Sequence, residues 1–297
     1  MDRYTVEHQT RYAYTAPVSQ SWQLARLTPR TLPWQRLISH TLHIEPAPNE
    51  RREERDSFGN TVTHFGLHGS HRLLRVRMEC MVEVGARPFE AAALAAAEPM
   101  AWERVRDLVR RDPAHEDHLL AARVCEPTAL VPLSEDARLY AAQSFTPGRD
   151  WFDAARELTA RIHADFDFEP GATTVSTSVD EVFHQRRGVC QDFAHLMLAC
   201  LRGLNLPARY VSGYLLTEPP PGAPRLLGVD ASHAWVAAYS PQHGWVEFDP
   251  TNDQIADQRY ITLAWGADFA DVVPLRGVIL GGGDQRMDVE VSVIPIA

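Results

Sequence analysis

The first part of the chain is dominated by runs in which apolar and polar residues alternate, the pattern of a strand with one buried face. Residues 4–8 and 11–15 are rich in β-branched and aromatic side chains, and a similar run at 61–65 follows a turn signal. Residues 74–84 alternate apolar and charged side chains for much of their length. Several short strands separated by turns predict a small antiparallel, sandwich-like region over residues 1–88.

Further along, apolar residues recur at the three- and four-residue steps of helices. The strongest such helix is predicted at residues 151–162, with Asp150 as its N-cap. Ser178 and Glu181 match a capping box, which opens another short helix. Residues 193–201 are apolar on nearly all sides, and this predicts a buried helix.

Strand patterns return in the last third of the chain. Residues 207–216 predict a strand, and the prolines within 219–222 predict a rigid exposed loop. Residues 233–239 and 245–249 flank a turn and predict a hairpin. Residues 287–296 predict a final strand.

Taken together, these patterns predict an α+β chain in three segments. Residues 1–88 form a β-rich N-terminal domain, residues 89–150 a helical connecting region, and residues 151–297 a domain of helices and strands. The proportion of hydrophobic residues, 45%, is that of an ordinary globular protein.

The charge balance limits the classes of partner. The chain carries 39 acidic and 29 basic residues, so its net charge is −10, which argues against nucleic acid or an anionic membrane surface as a partner. No stretch approaches the ~20 apolar residues of a membrane-spanning helix, and the first residues lack the apolar core of a secretion signal. We therefore expect a soluble cytoplasmic protein.

The four cysteines are too few and too scattered for a disulfide framework, and none forms a Cys-x-x-Cys pair. Free cysteines are most often small buried hydrophobes, which is the expectation for Cys80, Cys125 and Cys200. Cys190 differs in its neighbours. Gly188 lets the chain turn sharply into the predicted helix, so the thiol lies at a helix N-terminus, where free backbone N–H groups favour an anion.

A thiol in that position is favoured as the thiolate, and the same N–H groups would stabilise an oxyanion on a substrate carbonyl. A cysteine nucleophile also needs an imidazole, and the imidazole needs an acceptor that orients it. His233 begins one strand of the predicted hairpin and Asp249 ends the other. Antiparallel pairing would place both side chains at the same end of the sheet.

Four motifs in this order resemble the bacterial transglutaminase-like family over residues 155–255. They are RGVCQDFAH (187–195), ARYVSGY (208–214), HAW (233–235) and GWVEFDPT (244–251). Residues 1–88 resemble, more weakly, the N-terminal region that accompanies this core. The resemblance implies a papain-like fold, in which a helix that bears the cysteine packs on an antiparallel sheet.

The resemblance also implies a Cys-His-Asp triad at Cys190, His233 and Asp249. The sequence departs from animal transglutaminases, because Gln191 replaces the tryptophan that follows their nucleophile and no calcium-binding loop is recognisable. This departure argues against protein cross-linking. The implied reaction is therefore hydrolysis of an amide or peptide bond through a thioester.

Three other residues are candidates for substrate binding: Trp235, Tyr214 and Gln185, the last as a second oxyanion donor. We expect a peptide or protein substrate and no cofactor or metal, and the sequence leaves the oligomeric state open. Three alternatives remain: acyl transfer to amines, a catalytically silent peptide-binding module, and a metal-dependent hydrolase that uses the histidines of the chain.

Overall fold

The computed structural model describes residues 1–89, 97–111, 116–217 and 232–296. The predicted loop at 219–222 and parts of the predicted connecting region lie outside these residues. The α+β class is confirmed. The helices are α1 (Trp102–Arg111), α2 (Glu116–Arg123), α3 (Glu135–Ser144), α4 (Trp151–Asp165), α5 (Val179–Gln185), α6 (Cys190–Gly203) and a 3₁₀ helix (Phe269–Asp271).

The strands of the described residues form two antiparallel sheets and one short parallel pair. They are β1 (Asp2–Ala25), β2 (Gln35–Glu45), β3 (Glu50–Arg55), β4 (Thr61–Val84), β5 (Asp167–Phe168), β6 (Arg187–Gly188), β7 (Ala208–Leu215), β8 (Ser232–Ser240), β9 (Gly244–Asp249), β10 (Gln254–Ile255), β11 (Tyr260–Gly266), β12 (Leu275–Gly281) and β13 (Gln285–Ile296).

The first sheet has six strands and is built on β1 and β4, which are 24 residues long each and run antiparallel. Strands β2 and β3 pair with β4, while β12 and β13 pair with β1. The sandwich-like region expected at residues 1–88 is thus one continuous sheet, because each long strand unites two of the predicted short ones across irregularities in the pairing.

The chain returns to this first sheet at its C-terminal end. We predicted that residues 151–297 form a single domain, which contains the three candidate catalytic residues. Strands β12 and β13 of this range pair with β1 instead of the second sheet. The pairing covers an edge of β1 that would otherwise expose a row of unpaired backbone groups. Both ends of the chain are therefore joined in one sheet.

The second sheet has the strand order β10-β9-β8-β7-β11. Helix α6 packs on β7 and β8 in the largest hydrophobic core, and the first sheet packs against the β7–β11 side through Tyr214, Ile261 and Leu263. The short β5–β6 pair fixes the segment that leads into α6. The N-terminus of α6, the start of β8 and the first sheet thereby meet around one cleft.

Candidate active site

Cys190 is the first residue of α6, and its half-buried side chain lines this cleft. The other three cysteines lie elsewhere, and burial raises the pKa of Cys80 and Cys200 to about 12 and that of Cys125 to about 11. These three thiols are therefore poor nucleophiles at neutral pH. Of the four cysteines, the structure brings only Cys190 to the cleft.

The start of α6 is held by the buried side chain of Asp192. Its Oδ2 accepts hydrogen bonds from the backbone N–H of Val189 at 2.7 Å and from the hydroxyl of Thr173 at 2.6 Å. A Cβ on residue 188 would lie 2.8 Å from that oxygen, so glycine is needed there for the close approach of Asp192. The left-handed residue of the turn is Arg186, with φ 55°.

His233 and Asp249 lie at one end of the β8–β9 hairpin, as the sequence predicted. The register pairs Val236 with Phe248, which brings the start of β8 beside the end of β9. His233 Nε2 lies 2.7 Å from Asp249 Oδ2. The side chain of Cys190 interacts with His233 and raises the pKa of its imidazole. Since Asp249 occupies Nε2, Nδ1 is the ring nitrogen left for the thiol.

Asp249 is fully buried and accepts hydrogen bonds at both carboxylate oxygens. Besides His233, the hydroxyl of Tyr260 (2.8 Å) and the side-chain amide of Asn252 (2.7 Å) donate to Oδ2. Oδ1 accepts from the backbone N–H of Thr251 at 2.9 Å. Burial alone would raise the pKa of Asp249, but the hydrogen bonds, led by that of His233, lower it below the ordinary value.

Sequence reasoning missed Asn252 and Tyr260. Asn252 follows a proline in the turn after β9, and that turn signal could have suggested a residue folding back on Asp249. Tyr260 begins the edge strand β11 and lies at the site only because of the sheet order, which no local pattern reveals.

The structure places Trp235 behind His233 rather than against substrate. The two rings stack with their centroids 6.0 Å apart, and the indole is fully buried. Its Nε1–H donates to Glu247 Oε2 at 2.8 Å, and this oxygen lies 2.9 Å from Nη1 of Arg87. Trp235 therefore supports the imidazole, because its own position is fixed by a buried carboxylate.

The other two predicted substrate-binding residues do not line the cleft in the described part of the chain. Tyr214 is buried, and its hydroxyl lies 3.0 Å from Nδ1 of His8. It therefore contacts a residue that lines the cleft without lining the cleft itself. Gln185 is exposed at the end of α5, and its amide donates to Glu181 at 2.9 Å, one helical turn away. Gln185 therefore has a local partner in α5 and lies outside the lining of the cleft.

The cleft has a volume of about 490 Å³ and receives side chains from both sheets. The lining residues are His8, Thr10, Tyr12, Val175, Val189, Cys190, Gln191, Tyr210, Ser212, Ser232, His233, Ala234, Phe269, Val273, Pro274, Leu275, Met287 and Val289. Within the described ranges, no three His, Cys, Asp or Glu side chains converge as ligands for a metal ion. Nor does any helix there have the length and apolar character to cross a membrane.

We expect His233 to keep both ring protons through neutral pH. Burial lowers its pKa, but the hydrogen bond with Asp249 and the interaction with Cys190 outweigh that effect and raise the pKa from 6.5 to about 10. Ring nitrogen chemical shifts of labelled histidine, followed by NMR from pH 5 to 11, measure this directly. The contribution of His233 to folding stability should be complete below pH 6.5 and lost as the pH rises through about 10.

Asp249 affects the pH dependence of folding stability in the opposite direction. Because its pKa lies below the ordinary value of 3.8, its contribution to stability is complete above about pH 4. This contribution is lost as the pH falls through the lowered pKa. Exposed His43 serves as the reference resonance in the same spectra. Titration of His233 near pH 6.5 would contradict the imidazolium–carboxylate pair.

Comparisons with known proteins show which family the chain belongs to. Residues 4–83 match the family model described as the bacterial transglutaminase-like N-terminal region, and residues 140–250 match that of the transglutaminase-like superfamily. An uncharacterized protein of Mycobacterium tuberculosis is 42% identical over 300 residues, covering 99% of this chain and 93% of the relative. One of Mycobacterium leprae is 34% identical over 301 residues and covers both chains completely.

A protein-glutamine gamma-glutamyltransferase of Pseudomonas aeruginosa is 39% identical over 111 residues, which are 34% of this chain and 16% of that protein. A crystal structure from Cytophaga hutchinsonii, described as a candidate cysteine protease, has the same fold: the TM-score is 0.76 at 18% identity, over 100% of this chain and 91% of that one. The chain belongs to the bacterial transglutaminase-like family, and its enzyme type is that of cysteine proteases and transglutaminases.

Proposed function

We propose that this protein hydrolyses amide or peptide bonds through a thioester on Cys190, with His233 as proton carrier and Asp249 as the group that orients the imidazole. One observation supports the proposal above all others: His233 is hydrogen-bonded to the carboxylate of Asp249 and lines the same cleft as a thiol at a helix N-terminus. A structural cysteine would need neither the imidazole nor the helix end.

In the first half of the reaction, the Cys190 thiolate attacks the substrate carbonyl carbon and forms the C–S bond. The first N–H groups of α6 have no carbonyl partner within the helix and would bind the oxyanion. The C–N bond then breaks, and the His233 imidazolium gives its proton to the leaving amine. In the second half, His233 takes a proton from water and the resulting hydroxide attacks the thioester carbon. The C–S bond then breaks, which releases the acid and restores the Cys190 thiolate beside the His233 imidazolium.

Transfer of the acyl group to an amine is the second candidate, and the name of the Pseudomonas aeruginosa relative favours it. Both reactions use the same three residues and differ only in what attacks the thioester. A primary amine such as methylamine, added to the reaction, separates them. An N-methylamide in the product, detected by mass spectrometry, would favour transfer, whereas the free acid alone would favour hydrolysis.

The proposal is tested by the rate at which iodoacetamide alkylates Cys190 at pH 7. We expect His233→Ala to slow alkylation by roughly tenfold or more, because the thiolate loses its imidazolium partner. Quenched time points, with the modified peptide identified by mass spectrometry, give the rate for each cysteine separately.

His43→Ala replaces an exposed histidine of β2 and is the matched control, with an unchanged rate expected. The buried thiols of Cys80 and Cys200 report on unfolding in the same samples. Cys190 that reacts only after denaturation would be a core residue, and a catalytically silent binding module would then replace the proposal.

A further inference from the structure

We propose that the cleft selects substrates with an apolar side chain next to the scissile bond, and that the first sheet supplies the surface that binds this side chain. The inference rests on the proposed function, because it names the substrate class of the same site. It assigns a role in specificity to β1, β12 and β13, which surround the nucleophile from the side opposite α6.

One face of the first sheet passes from the protein core into the cleft. The buried residues Tyr4 and Val6 of β1 belong to the core of this sheet, and the next residues on the same face, His8, Thr10 and Tyr12, line the cleft. Side chains two residues apart on a strand share a face, so the cleft wall is a continuation of the core surface.

Strand β13 continues the wall through cross-strand pairs. Thr10 is paired with Val289, and Tyr12 with Met287. Residues directly opposite on antiparallel strands project to the same side of a sheet, so both β13 side chains face the cleft that they line. They are 46% and 56% exposed, which is unusual for large apolar residues that extend a core.

Apolar residues from outside β1 and β13 complete the lining of the cleft. Val175 precedes α5 and is 63% exposed, and Phe269, Val273, Pro274 and Leu275 come from the segment before and at the start of β12. Exposed apolar side chains that surround a cleft are typical of a binding site. The thiol of Cys190 lies in the same cleft, so whatever binds these walls lies beside the reacting bond.

The charges of the cleft agree with an uncharged occupant. Among the described residues of its lining, none is Asp, Glu, Lys or Arg, although the whole chain carries a net charge of −10. His8 is the one lining histidine besides His233, and burial lowers its pKa to about 4, so it is neutral at pH 7. Apart from Cys190 and His233, whose charges pair with each other, a charged substrate side chain would find no partner of opposite charge there to offset its lost hydration.

The inference is tested with four alkylating reagents that share one reactive group: N-hexyliodoacetamide, iodoacetamide, iodoacetate and N-(2-trimethylammonioethyl)iodoacetamide. Each rate at Cys190 is divided by the rate with glutathione, which removes differences in intrinsic reactivity. We expect the corrected rate of the hexyl reagent to exceed that of iodoacetamide roughly tenfold, since burying about two methylene groups has an effect of that size. Both charged reagents should be slower than iodoacetamide.

Val289→Asp and Met287→Glu place a carboxylate in the wall and should reduce the advantage of the hexyl reagent to roughly threefold or less. The matched control is Val278→Asp on β12, an exposed valine outside the lining, which should leave the advantage unchanged. Circular dichroism of the three variants checks that each is folded.

The possible failures are distinguishable. If Cys190 reacts with none of the reagents in the folded protein, the proposed function fails. If Cys190 reacts, and His233→Ala slows it, but the hexyl reagent has no advantage, only the substrate class is wrong. If Val289→Asp changes the oligomeric state in size-exclusion chromatography without changing the selectivity, the wall is a contact between copies of the chain, and the inference is overturned.

Discussion

Asp249→Asn is expected to lower kcat/KM by roughly 10³–10⁴-fold, the size of effect known when the acceptor behind a catalytic imidazole becomes an amide. The carboxylate fixes the proton on Nε2 of His233, and this leaves Nδ1 to exchange a proton with the thiol and the leaving group. An amide that presents its NH₂ group to Nε2 would stabilise the opposite tautomer. The imidazole would then be unable to accept a proton at Nδ1.

Rotation of the asparagine amide does not rescue the site. With its oxygen towards His233, the NH₂ group would face the backbone N–H of Thr251, which donates to Oδ1 in the wild type. With its NH₂ group towards His233, the amide would also face the donors Tyr260 and Asn252. Each orientation places donor against donor in a fully buried position, so neither restores the wild-type arrangement.

The measurement is the cleavage of N-acetyl-leucine p-nitroanilide, whose leucine belongs to the proposed apolar substrate class, with alkylation of Cys190 as a second readout. Asp253→Asn is the matched control, because it makes the same change at an exposed position four residues along the chain. A loss below tenfold in a folded Asp249→Asn variant would show that Asp249 does not orient the imidazole.

The sequence predicted those elements whose signals are local. Helices α4 and α5 begin where Asp150 and Ser178 predict their caps, and the side chains of both residues accept the expected backbone hydrogen bonds. The hairpin was predicted for the same reason, since its two strands are separated only by a tight turn. In the candidate site, this local information was enough to bring His233 and Asp249 together.

What could not be predicted depends on contacts between distant segments. The pairing of β1 with β13 joins the two ends of the chain, and no pattern within either strand specifies its partner. Tyr214 shows the same limit: it follows the cleft residues Ser212 and Tyr210 on β7, yet it packs under His8 of the first sheet. Whether a strand residue lines the cleft or is buried behind a lining residue depends on which segment of the chain packs against it.

Arg87 and Glu247 form an ion pair that the sequence did not suggest. We expect the loss of this ion pair to reduce the folding stability strongly. Both side chains are 1% exposed, and Nη1 lies 2.9 Å from Oε2. Arg87 follows β4 and also donates to the backbone carbonyls of Asp257 and Tyr260, at 3.1 and 2.8 Å. The pair therefore ties the end of the first sheet to the strand and turn that surround Asp249.

Glu247→Gln is expected to lower the free energy of unfolding by about 3–5 kcal/mol, because it leaves a buried guanidinium without its counterion. Arg209 adds to this cost, since it is half-buried, its burial lowers its pKa, and the charge of Glu247 favours its protonated form. Urea titration followed by tryptophan fluorescence measures the loss. Arg87→Met, which leaves the carboxylate unpaired, should cost a similar amount.

Two control measurements distinguish the contribution of this ion pair to the free energy of unfolding from the general effect of a substitution. Glu79→Gln removes one partner of an exposed ion pair on β4 and should change the free energy of unfolding by less than about 1 kcal/mol. The double variant Arg87→Met/Glu247→Gln should cost less than the sum of the single changes, because each single change leaves one buried charge that the double change removes. Strict additivity would show that the two charges do not interact. Since Trp235 donates to the same carboxylate, a coupled pair also explains how packing between the two sheets holds the imidazole of His233 in place.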